Sequence, residues 1–341
     1  MPPSEASAPV LPEFSAGGAN GRHVIVTGGA GFIGSHLTER LLEMGWRVVV
    51  IDDFSTGNIT NLAAVKSHPG LSILSVKVSE CAQLSELVAG AAFVFHLAAA
   101  VGVELILKEP LRAIHTNLRE TEAILEAASR VGTPLLMTST SEVYGKSRKS
   151  QLEETDDLII GQPHLSRWAY SCSKLMDEFL VFAHAQTHLL PVTVVRLFNT
   201  AGPRQTGRFG MVMPRWVTAA LKNEPLRVHG DGTQTRCFCH VADTVDALLQ
   251  LQRLPQARGE IFNIGSDDEI SMAVLAKRVV ITLGSRSEIQ LIPYSEAYPR
   301  GFEEMHRRRP CTAKLAALTG FHASRSLEKI IHDVAGWVRG I

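Results

Sequence analysis

The sequence predicts an α/β fold built on a doubly wound parallel sheet, followed by a smaller mixed α/β C-terminal domain. From residue 22 to about 195, strand-like and helix-like segments alternate. Such alternation implies right-handed crossovers and a parallel sheet with helices on both faces. The first strand-like segment also runs into glycines spaced by three, at positions 28, 31 and 34. Together these observations favour a sheet of the Rossmann type.

The first strand, turn and helix are the most informative stretch of the chain. The apolar and β-branched run Val24–Thr27 predicts a buried strand, and the amphipathic run Ser35–Met44 predicts the helix that follows it. Gly28 permits the tight turn, Gly31 lets a pyrophosphate approach the backbone, and Gly34 lets helix and strand pack closely. The helix N-terminus then offers free N–H groups to phosphates. Many strand-to-helix turns need glycine for shape alone, so this turn by itself leaves nucleotide binding open.

An acidic residue ends the second predicted strand, Val48–Ile51. Asp52 lies about 20 residues beyond the glycines, where a carboxylate can accept hydrogen bonds from an adenosine ribose diol. Because a carboxylate there would repel a 2′-phosphate, the sequence favours NAD over NADP. An aspartate that merely caps a loop is the alternative interpretation. The glycine turn and Asp52 at this spacing are together stronger evidence of dinucleotide binding than either feature alone.

The later strands and helices of the first half follow the same alternation. The predicted strands are 71–78, 92–97, 134–138 and 192–196, and the predicted helices are 110–130 and 168–187. The fourth strand is followed by Ala98, Ala99 and Ala100, small residues that would let a cofactor lie close to the chain. After Phe198 the composition shifts toward Gly, Pro, Arg and aromatic residues. There we predict helices at 214–222 and 243–253, a strand at 261–264 that returns to the main sheet, and a mostly helical remainder.

Composition and charge exclude several classes of protein. The chain of 341 residues has 34 basic and 34 acidic side chains, so there is no electrostatic case for nucleic acid or a membrane surface. No apolar run approaches the roughly 18 residues that span a bilayer. The five cysteines include no CxxC pair and have no histidines at ligand spacing, which predicts reduced thiols, no metal site and a cytoplasmic protein. Residues 1–21 lack the features of a signal peptide and predict a disordered tail.

A tyrosine and a lysine lie four residues apart in the segment Tyr170-Ser-Cys-Ser-Lys174, on one face of a predicted helix. A lysine beside a tyrosine stabilises phenolate and lowers the pKa of the phenol, which makes a general base usable near neutral pH. This spacing often arises by chance. Its position strengthens the interpretation, because the pair follows a strand that ends in hydroxyl-bearing residues, from Thr138 to Ser141.

These motifs, taken in order, resemble the extended short-chain dehydrogenases/reductases that act on nucleotide sugars. The resemblance rests on the glycine turn, Asp52, Ser139-Thr-Ser-Glu-Val-Tyr-Gly145 and Tyr170-x-x-x-Lys174. It continues through the segments that begin at Arg196 and Pro225 and ends near Arg307-Arg308-Arg309. It implies an NAD-binding domain at 22–197, to which 243–265 return. It also implies a nucleotide-sugar-binding domain at 198–242 and 266–341.

The resemblance also implies roles for individual residues. Tyr170 would take the proton from the sugar 4-hydroxyl while NAD accepts the C4 hydride, and Lys174 would hold the nicotinamide ribose. Thr140 would bond to O4 of the sugar. The candidate catalytic residues are Thr140, Glu142, Tyr170 and Lys174. The candidate cofactor residues are Gly28, Gly31, Phe32, Ile33, Asp52, Asp53, Leu97, Ala98, Ala99, Asn117, Tyr170 and Lys174. The candidate substrate residues are Ser141, Asn199, Arg204, Arg208, Val212, Arg236 and Arg308.

Several reactions can follow oxidation at C4. The Thr140-Ser-Glu-Val-Tyr-Gly145 loop is like that of UDP-glucuronate decarboxylases, whereas 4,6-dehydratases usually carry Asp-Glu at Ser141-Glu142. Uronate 4-epimerases often have an additional arginine at the position of Thr206, although Arg208 could reach the same place. The favoured hypothesis is therefore decarboxylation of a UDP-glucuronate-like substrate, with 4-epimerisation as the main alternative and dehydration as a lesser one. A non-catalytic NAD-binding sensor is the alternative from a different class, and such proteins tend to lose the tyrosine–lysine pair.

Two residues depart from the pattern that is usual in the family. Lys77 stands where the family often has an aspartate near the adenine, and His229 replaces the usual aromatic residue near the uracil. UDP and dTDP therefore both stay open as the nucleotide.

Related enzymes pair the helices corresponding to 110–130 and 168–187 across a two-fold axis, so the resemblance implies a homodimer.

Overall fold

A seven-stranded parallel sheet organises the structure, a computed structural model that describes residues 22–102, 109–298, 303 and 305–340. The strands are β1 His23–Thr27, β2 Arg47–Ile51, β3 Leu71–Leu74, β4 Ala91–His96, β5 Leu135–Thr140, β6 Val192–Leu197, β7 Thr200–Ala201, β8 Leu226–His229, β9 Thr235–Cys237, β10 Cys239–His240, β11 Glu260–Ile264, β12 Glu269–Ser271, β13 Ile289–Ile292 and β14 Arg307–Arg308. The helices are α1 Phe32–Glu43, α2 Leu84–Gly90, α3 Pro110–Val131, α4 Ala169–His188, α5 Val212–Leu221, α6 Val241–Arg253, α7 Met272–Leu283, α8 Tyr294–Ala297, α9 Ala313–Thr319 and α10 Leu327–Arg339. The predicted tail, 1–21, lies outside the described residues.

The order of the strands places the binding crevice. The main sheet runs β11-β6-β5-β4-β1-β2-β3, and its strands pair in parallel throughout. The chain winds outward in one direction from β1 to β3 and in the other from β4 onward, so the order reverses between β1 and β4. In open α/β sheets a ligand binds outside the carboxyl ends of the strands at such a switch point. The predicted doubly wound parallel sheet is confirmed.

The two faces of the sheet are covered by different helices because side chains alternate along each strand. Val24 and Val26 pack with Leu37 and Leu41 of α1 and with residues of α6 on one face. Ile25 packs on the other face with residues of α2, α3 and α4. Leu37 and Leu41 are fully buried, and burial of such a side chain contributes about 1.5–3 kcal/mol. This double cover explains why the strands read as continuous apolar runs rather than alternating ones.

Three of the later helices form a smaller unit beside the carboxyl ends of the strands. Helices α5, α7 and α10 enclose a separate apolar cluster, which includes Trp216, Leu275 and Ile331. The chain enters this unit after β6, returns to the main sheet as β11, and leaves it again. The predicted returning strand at 261–264 is confirmed, since Glu260–Ile264 pairs with β6.

The prediction of a mostly helical C-terminal remainder was wrong in part. Strands β12, β13 and β14 lie within it, and β14 pairs with β9. These strands have two to four residues, which is too short for an alternating pattern to show in the sequence. Predicted strand 71–78 is also shorter, because the chain leaves the sheet after Leu74 and forms a 3₁₀ turn at Val78–Glu80.

Candidate active site

The glycine turn forms one wall of a small cavity of about 100 Å³ beside β1 and β2. Gly28 has a positive φ of +68°, and a Cβ there would lie 2.8 Å from the amide nitrogen of Ala98. A Cβ on Gly34 would lie 2.1 Å from the carbonyl oxygen of Gly28, so α1 packs directly on the turn. Gly31 meets only that same carbonyl, at 3.0 Å, and lines the cavity. This narrow backbone cradle fits a pyrophosphate at the start of α1.

Asp52 combines the two roles that the sequence left open. Its Oδ2 accepts a hydrogen bond from Ala30 N at 2.9 Å, and its Oδ1 accepts one from Phe54 N at 2.8 Å. The carboxylate therefore caps the loop and also lines the small cavity beside Asp53. Burial raises the pKa of Asp52, and the two backbone hydrogen bonds oppose that effect. An acidic wall at this end suits an unmodified ribose and disfavours a 2′-phosphate.

The opposite wall of the groove is fixed by buried polar contacts. Leu97 and Ala99 line both cavities, and Ala98 lines the smaller one. Thr27 Oγ1 accepts from Leu97 N and Ala98 N, at 3.2 Å each, so its own proton is donated to His96 Nδ1 at 2.8 Å. Burial lowers the pKa of His96 to about 3, which keeps the ring neutral.

Asn117, a predicted cofactor residue, supports this wall from α3. Its Oδ1 accepts from Ala100 N at 2.8 Å, and its Nδ2 donates to Ser173 Oγ at 2.9 Å. The side chain is 1% exposed. The structure thus gives Asn117 a role in joining the 98–102 loop to α4 rather than a place in the wall of either cavity.

The predicted catalytic residues meet in a larger cavity of about 590 Å³ at the carboxyl ends of β4, β5 and β6. This cavity includes members of all three predicted sets. Its walls contain Phe32, Ile33, Leu97, Ala99, Thr140, Ser141, Glu142, Tyr170, Lys174, Asn199, Val212, Arg236 and Arg308. Residues from turns, strands and helices that are far apart in sequence therefore share one site.

Glu142 lies between two guanidinium groups at the centre of the site. Arg167 Nη1 is 2.5 Å from Glu142 Oε2, and Arg308 pairs with Glu142 Oε1. Arg308 also donates to Asn199 Oδ1 at 3.1 Å. Burial would raise the pKa of Glu142, but the charges of Arg167 and Arg308 outweigh it and lower the pKa to about 2. The carboxylate is therefore ionised at neutral pH and is not an acid there.

Tyr170 carries a neutral phenol in this structure. Burial raises the pKa of Tyr170, and the charges of Glu142 and Asp177 raise it further, while a hydrogen bond with Thr140 and the charge of Arg308 oppose them. The contact with Thr140 brings together the two hydroxyl groups that were predicted to face O4 of the sugar.

Lys174 differs from the prediction. Its Nζ donates to Asp177 Oδ2 at 2.8 Å, and the two side chains are 2% and 0% exposed. The expected lowering of the pKa of the Tyr170 phenol is not met here, because burial first, and then the charges of Glu142 and Asp177, raise that pKa.

The large cavity also has basic and aromatic walls. Arg215, Arg227 and Arg236 line it, and planar guanidinium groups suit phosphate oxygens. The rings of His229 and Tyr298, which also line the cavity, meet edge to face with centroids 5.2 Å apart. His229 Nδ1 lies 3.1 Å from the hydroxyl oxygen of Tyr298. An aromatic face is therefore present at His229, where the sequence shows histidine in place of the usual residue.

Two predicted substrate residues lie away from these walls. Arg204 has a left-handed φ of 69°, and its Nη2 bonds to both carboxylate oxygens of Glu39 on α1, at 2.7 and 2.8 Å. Its guanidinium also lies over the ring of Trp337. Arg208 is exposed on the Gly207–Phe209 turn. In the described part of the chain both arginines stand outside the two cavities, so the structure corrects the prediction that they line the substrate site.

Sequence reasoning missed several cavity residues, among them Arg167, Arg215, Arg227 and Tyr298. Arg167 is the most consequential, because its side chain is 4% exposed and touches Glu142. Its position three residues before Tyr170 was the available signal. That spacing places it at the last turn before α4, on the approach to the catalytic tyrosine.

Comparison with known proteins agrees with this geometry. The model of the NAD dependent epimerase/dehydratase family matches residues 24–265, which is most of the chain. The chain belongs to this family. A family built on NAD fits the glycine cradle, Asp52 and the Tyr170–Lys174 pair. None of the described helices combines the length and apolar character needed to cross a membrane.

Two relatives of the chain are named as decarboxylases of UDP-linked uronic acids. The chain is 38% identical over 325 residues to the UDP-N-acetyl-alpha-D-glucosaminuronate decarboxylase of Bacillus cytotoxicus, covering 94% of the chain and 98% of that enzyme. It is 35% identical to UDP-glucuronic acid decarboxylase 2 of Arabidopsis thaliana, over 91% of the chain and 66% of that longer protein.

Solved structures of the same fold include other chemistries. The UDP-glucose 4-epimerase of Thermotoga maritima with UDP-glucose is 26% identical with a TM-score of 0.81, covering 93% of the chain and 99% of the epimerase. The DesIV dTDP-glucose 4,6-dehydratase of Streptomyces venezuelae with NAD and TYD is 26% identical with a TM-score of 0.82, over 93% of the chain and 97% of the dehydratase. The fold thus serves epimerases and dehydratases as well, and the site must decide between them.

Proposed function

We propose that the protein is an NAD-dependent decarboxylase of a UDP-linked uronic acid, either UDP-glucuronate or its 2-acetamido counterpart. The observation that carries the proposal is the buried Glu142 carboxylate held between Arg167 and Arg308 in the cavity that contains Tyr170. Both relatives named above are decarboxylases of such substrates. Both names contain UDP, so we infer UDP rather than dTDP as the nucleotide.

The mechanism begins at the sugar 4-hydroxyl. Tyr170 must first lose its own proton, and its phenolate then accepts the hydroxyl proton. Thr140, which is hydrogen-bonded to the Tyr170 side chain, completes the hydrogen-bonding site for O4. NAD, when bound in the groove, supplies the hydride acceptor for C4 and later the donor. The residues that would hold it are the glycine cradle, Asp52, the 97–99 wall and Lys174. The 4-keto uronate is a β-keto acid, and this makes its carboxylate labile.

Loss of CO2 breaks the C5–C6 bond and leaves its electron pair delocalised into the C4 ketone as an enolate. Tyr170, protonated at this stage, and Thr140 can donate hydrogen bonds to the enolate oxygen. C5 must then take a proton. Because Glu142 is ionised, it cannot supply this proton, which comes from a water molecule. Return of the hydride to C4 and of the Tyr170 proton to O4 completes the product.

The charges of the site suit an acidic sugar substrate. Arg167 and Arg308 together outweigh Glu142 by one positive charge, which complements a substrate carboxylate. When CO2 leaves, the product no longer offers that negative charge. The site therefore binds the uronate substrate more strongly than the pentose product. This weaker binding helps the product to dissociate.

The alternatives have less support. The arginine that would clamp a carboxylate in a uronate 4-epimerase would come from Arg208, which is exposed on its turn outside the cavity. For a 4,6-dehydratase, Ser141 stands where an acid is needed. A sensor without catalysis does not need Tyr170 and Thr140 in contact inside a buried cavity.

A product assay tests the proposal. The purified protein is incubated separately with UDP-glucuronate and with UDP-N-acetylglucosaminuronate, and the nucleotide sugars are identified by mass and by NMR. Loss of the carboxyl group from either supports decarboxylation and names the sugar. A C4 epimer that keeps its carboxylate would replace the proposal with epimerisation, and no turnover of either would remove it. Tyr170→Phe is the matched inactive control.

We also infer that the protein forms a homodimer through α3 and α4. On α4, the residues Cys172, Met176, Phe179 and Ala183 make one exposed stripe at helical spacing, and Phe179 is 64% exposed. Leu111, at the start of α3, is 71% exposed. Such an apolar face suits a second copy of the same surface. A monomeric mass in sedimentation equilibrium would contradict the dimer, and Phe179→Glu should convert a dimer to monomers.

Cytoplasmic location stays part of the proposal. All five cysteines are free thiols, as expected in a reducing compartment. Cell fractionation with antibody detection tests it.

A further inference from the structure

A buried carboxylate that the proposed mechanism does not use lies next to the catalytic lysine. Asp177 is 0% exposed, and its Oδ2 accepts from Lys174 Nζ at 2.8 Å. Its other oxygen, Oδ1, has no hydrogen-bond partner among the residues that the structure describes. A buried ion pair is costly to desolvate and is weak evidence of a stabilising role. Its place beside the catalytic residues suggests a different one.

We propose that Asp177 is a positioning residue of the proposed reaction, which fixes the ammonium of Lys174 and limits how strongly that ammonium favours the phenolate of Tyr170. The inference rests on the proposed role of Tyr170 as the base. It makes the tyrosine–lysine pair a three-residue unit, with the carboxylate as its third member.

The helix geometry supports this unit. Tyr170, Lys174 and Asp177 lie at positions i, i+4 and i+7 of α4, which places them along one face. All three side chains are buried, so water screens their interactions only weakly. An ammonium paired at 2.8 Å with a carboxylate presents little net charge to a third group. Tyr170 therefore experiences a compensated lysine rather than a free cation.

The other groups around the unit do not replace Asp177. Glu142, from the Ser141–Tyr144 turn, and Arg308, from β14, face Tyr170 with opposite charges, and Thr140 bonds to the phenol. His96, from β4, faces Lys174 but is neutral, because burial lowers its pKa to about 3. Removal of the Asp177 charge would thus leave Lys174 with a full positive charge directed at its surroundings, Tyr170 included.

The consequence is a shift in the pH dependence. The acid limb of the pH profile of kcat/KM reports the pKa of the general base in the free enzyme, because that base must lose its proton to act. Asp177→Asn removes a negative charge near Tyr170 and frees the cation, and both changes favour phenolate. The acid limb should therefore move to lower pH, by about one unit.

The test compares Asp177→Asn with Asp243→Asn in the full chain. Asp243 is also a buried, ion-paired carboxylate, but its partner is Arg325 and it lies outside the cavity. The expected result is a downward shift of the acid limb for Asp177→Asn and an unshifted limb for Asp243→Asn. An unshifted limb for a folded Asp177→Asn would overturn the proposal and leave Asp177 a packing residue.

Two further measurements guard the conclusion. Asp177→Glu keeps the charge, so its limb should stay near that of the wild type; a shift as large as that of the asparagine variant would overturn the proposal. Ultraviolet difference titration, with Tyr170→Phe as reference, reads the ionisation of Tyr170 without any substrate. If no UDP-uronate is converted, the proposed function fails, yet this titration still decides whether Asp177 controls Tyr170.

Discussion

Arg167 Nη1 lies 2.5 Å from Glu142 Oε2, with the two side chains 4% and 11% exposed. The pair joins the turn before the catalytic helix α4 to the turn after β5. Arg308 adds a second cation from the far end of the chain. Three segments that are distant in sequence therefore meet at one carboxylate, and this junction sets the charge at the point where the sugar carboxylate is expected.

Replacement of Arg167 by glutamine should impair turnover of the acidic sugar. The change removes one charge-assisted contact, worth about 1.5–3 kcal/mol, and so predicts a loss of roughly 10- to 100-fold in kcat/KM. Arg130→Gln is the matched control, since that side chain is 68% exposed on α3. Steady-state kinetics with the uronate that is converted checks the prediction. Equal activity of the two variants would contradict it.

Glu142 should give the fold a dependence on acid pH. Its pKa is about 2 in the folded chain, below the ordinary value of 4.5. A depressed folded pKa gives stability that is complete above the unfolded pKa and is lost as pH falls through the folded one. The free energy of unfolding should therefore fall between about pH 4.5 and pH 2, and less steeply in Glu142→Gln. Urea titrations across that range measure both slopes, and parallel curves would count against the ion pairs.

Tyr170→Phe should abolish conversion while the cofactor stays bound. Loss of a general base costs about 100- to 10,000-fold, and the phenol lies in the large cavity, apart from the glycine cradle. Because the proposed cycle reduces and reoxidises NAD on one sugar, we expect NAD to be retained through purification. Absorbance and mass analysis of released cofactor check this. An active phenylalanine variant would eliminate Tyr170 as the base.

Gly34→Ala should weaken cofactor retention. The new Cβ would lie 2.1 Å from the carbonyl oxygen of Gly28, so the turn that forms the cradle must move. Gly90→Ala is the control, because its nearest neighbour is the flexible His23 ring at 3.2 Å. The NAD content of the two purified variants makes the comparison. Full NAD content in Gly34→Ala would show that the cradle tolerates the shift.

The sequence was sufficient for the sheet and for much of the site because both depend on strong local patterns. Buried parallel strands read as apolar runs, and the glycine turn needs positions where a Cβ has no room. Thr140 ends β5 and Tyr170 lies in the first turn of α4, the helix between β5 and β6, so both lie at the carboxyl edge of the sheet. These features are visible in the sequence alone.

The features that the sequence did not predict depend on contacts between segments that are distant in the chain. Arg204 sits in a motif typical of the substrate site, yet its backbone turns it toward Glu39. Arg167 and Asp177 have no motif of their own and gain meaning only from their contacts with Glu142 and Lys174. The short strands β12 and β14 exist because β9 lies beside them. Such pairings cannot be seen in local sequence.

The fate of the sugar carboxyl carbon tests the central claim most directly. The protein is incubated with UDP-glucuronate or UDP-N-acetylglucosaminuronate carrying carbon-13 at C6, and the label is followed by NMR. Decarboxylation predicts that the label appears in CO2 and bicarbonate in equal amount to a UDP-sugar that has lost C6. Label that remains in a UDP-linked uronate, whether as substrate or as its C4 epimer, would contradict the account.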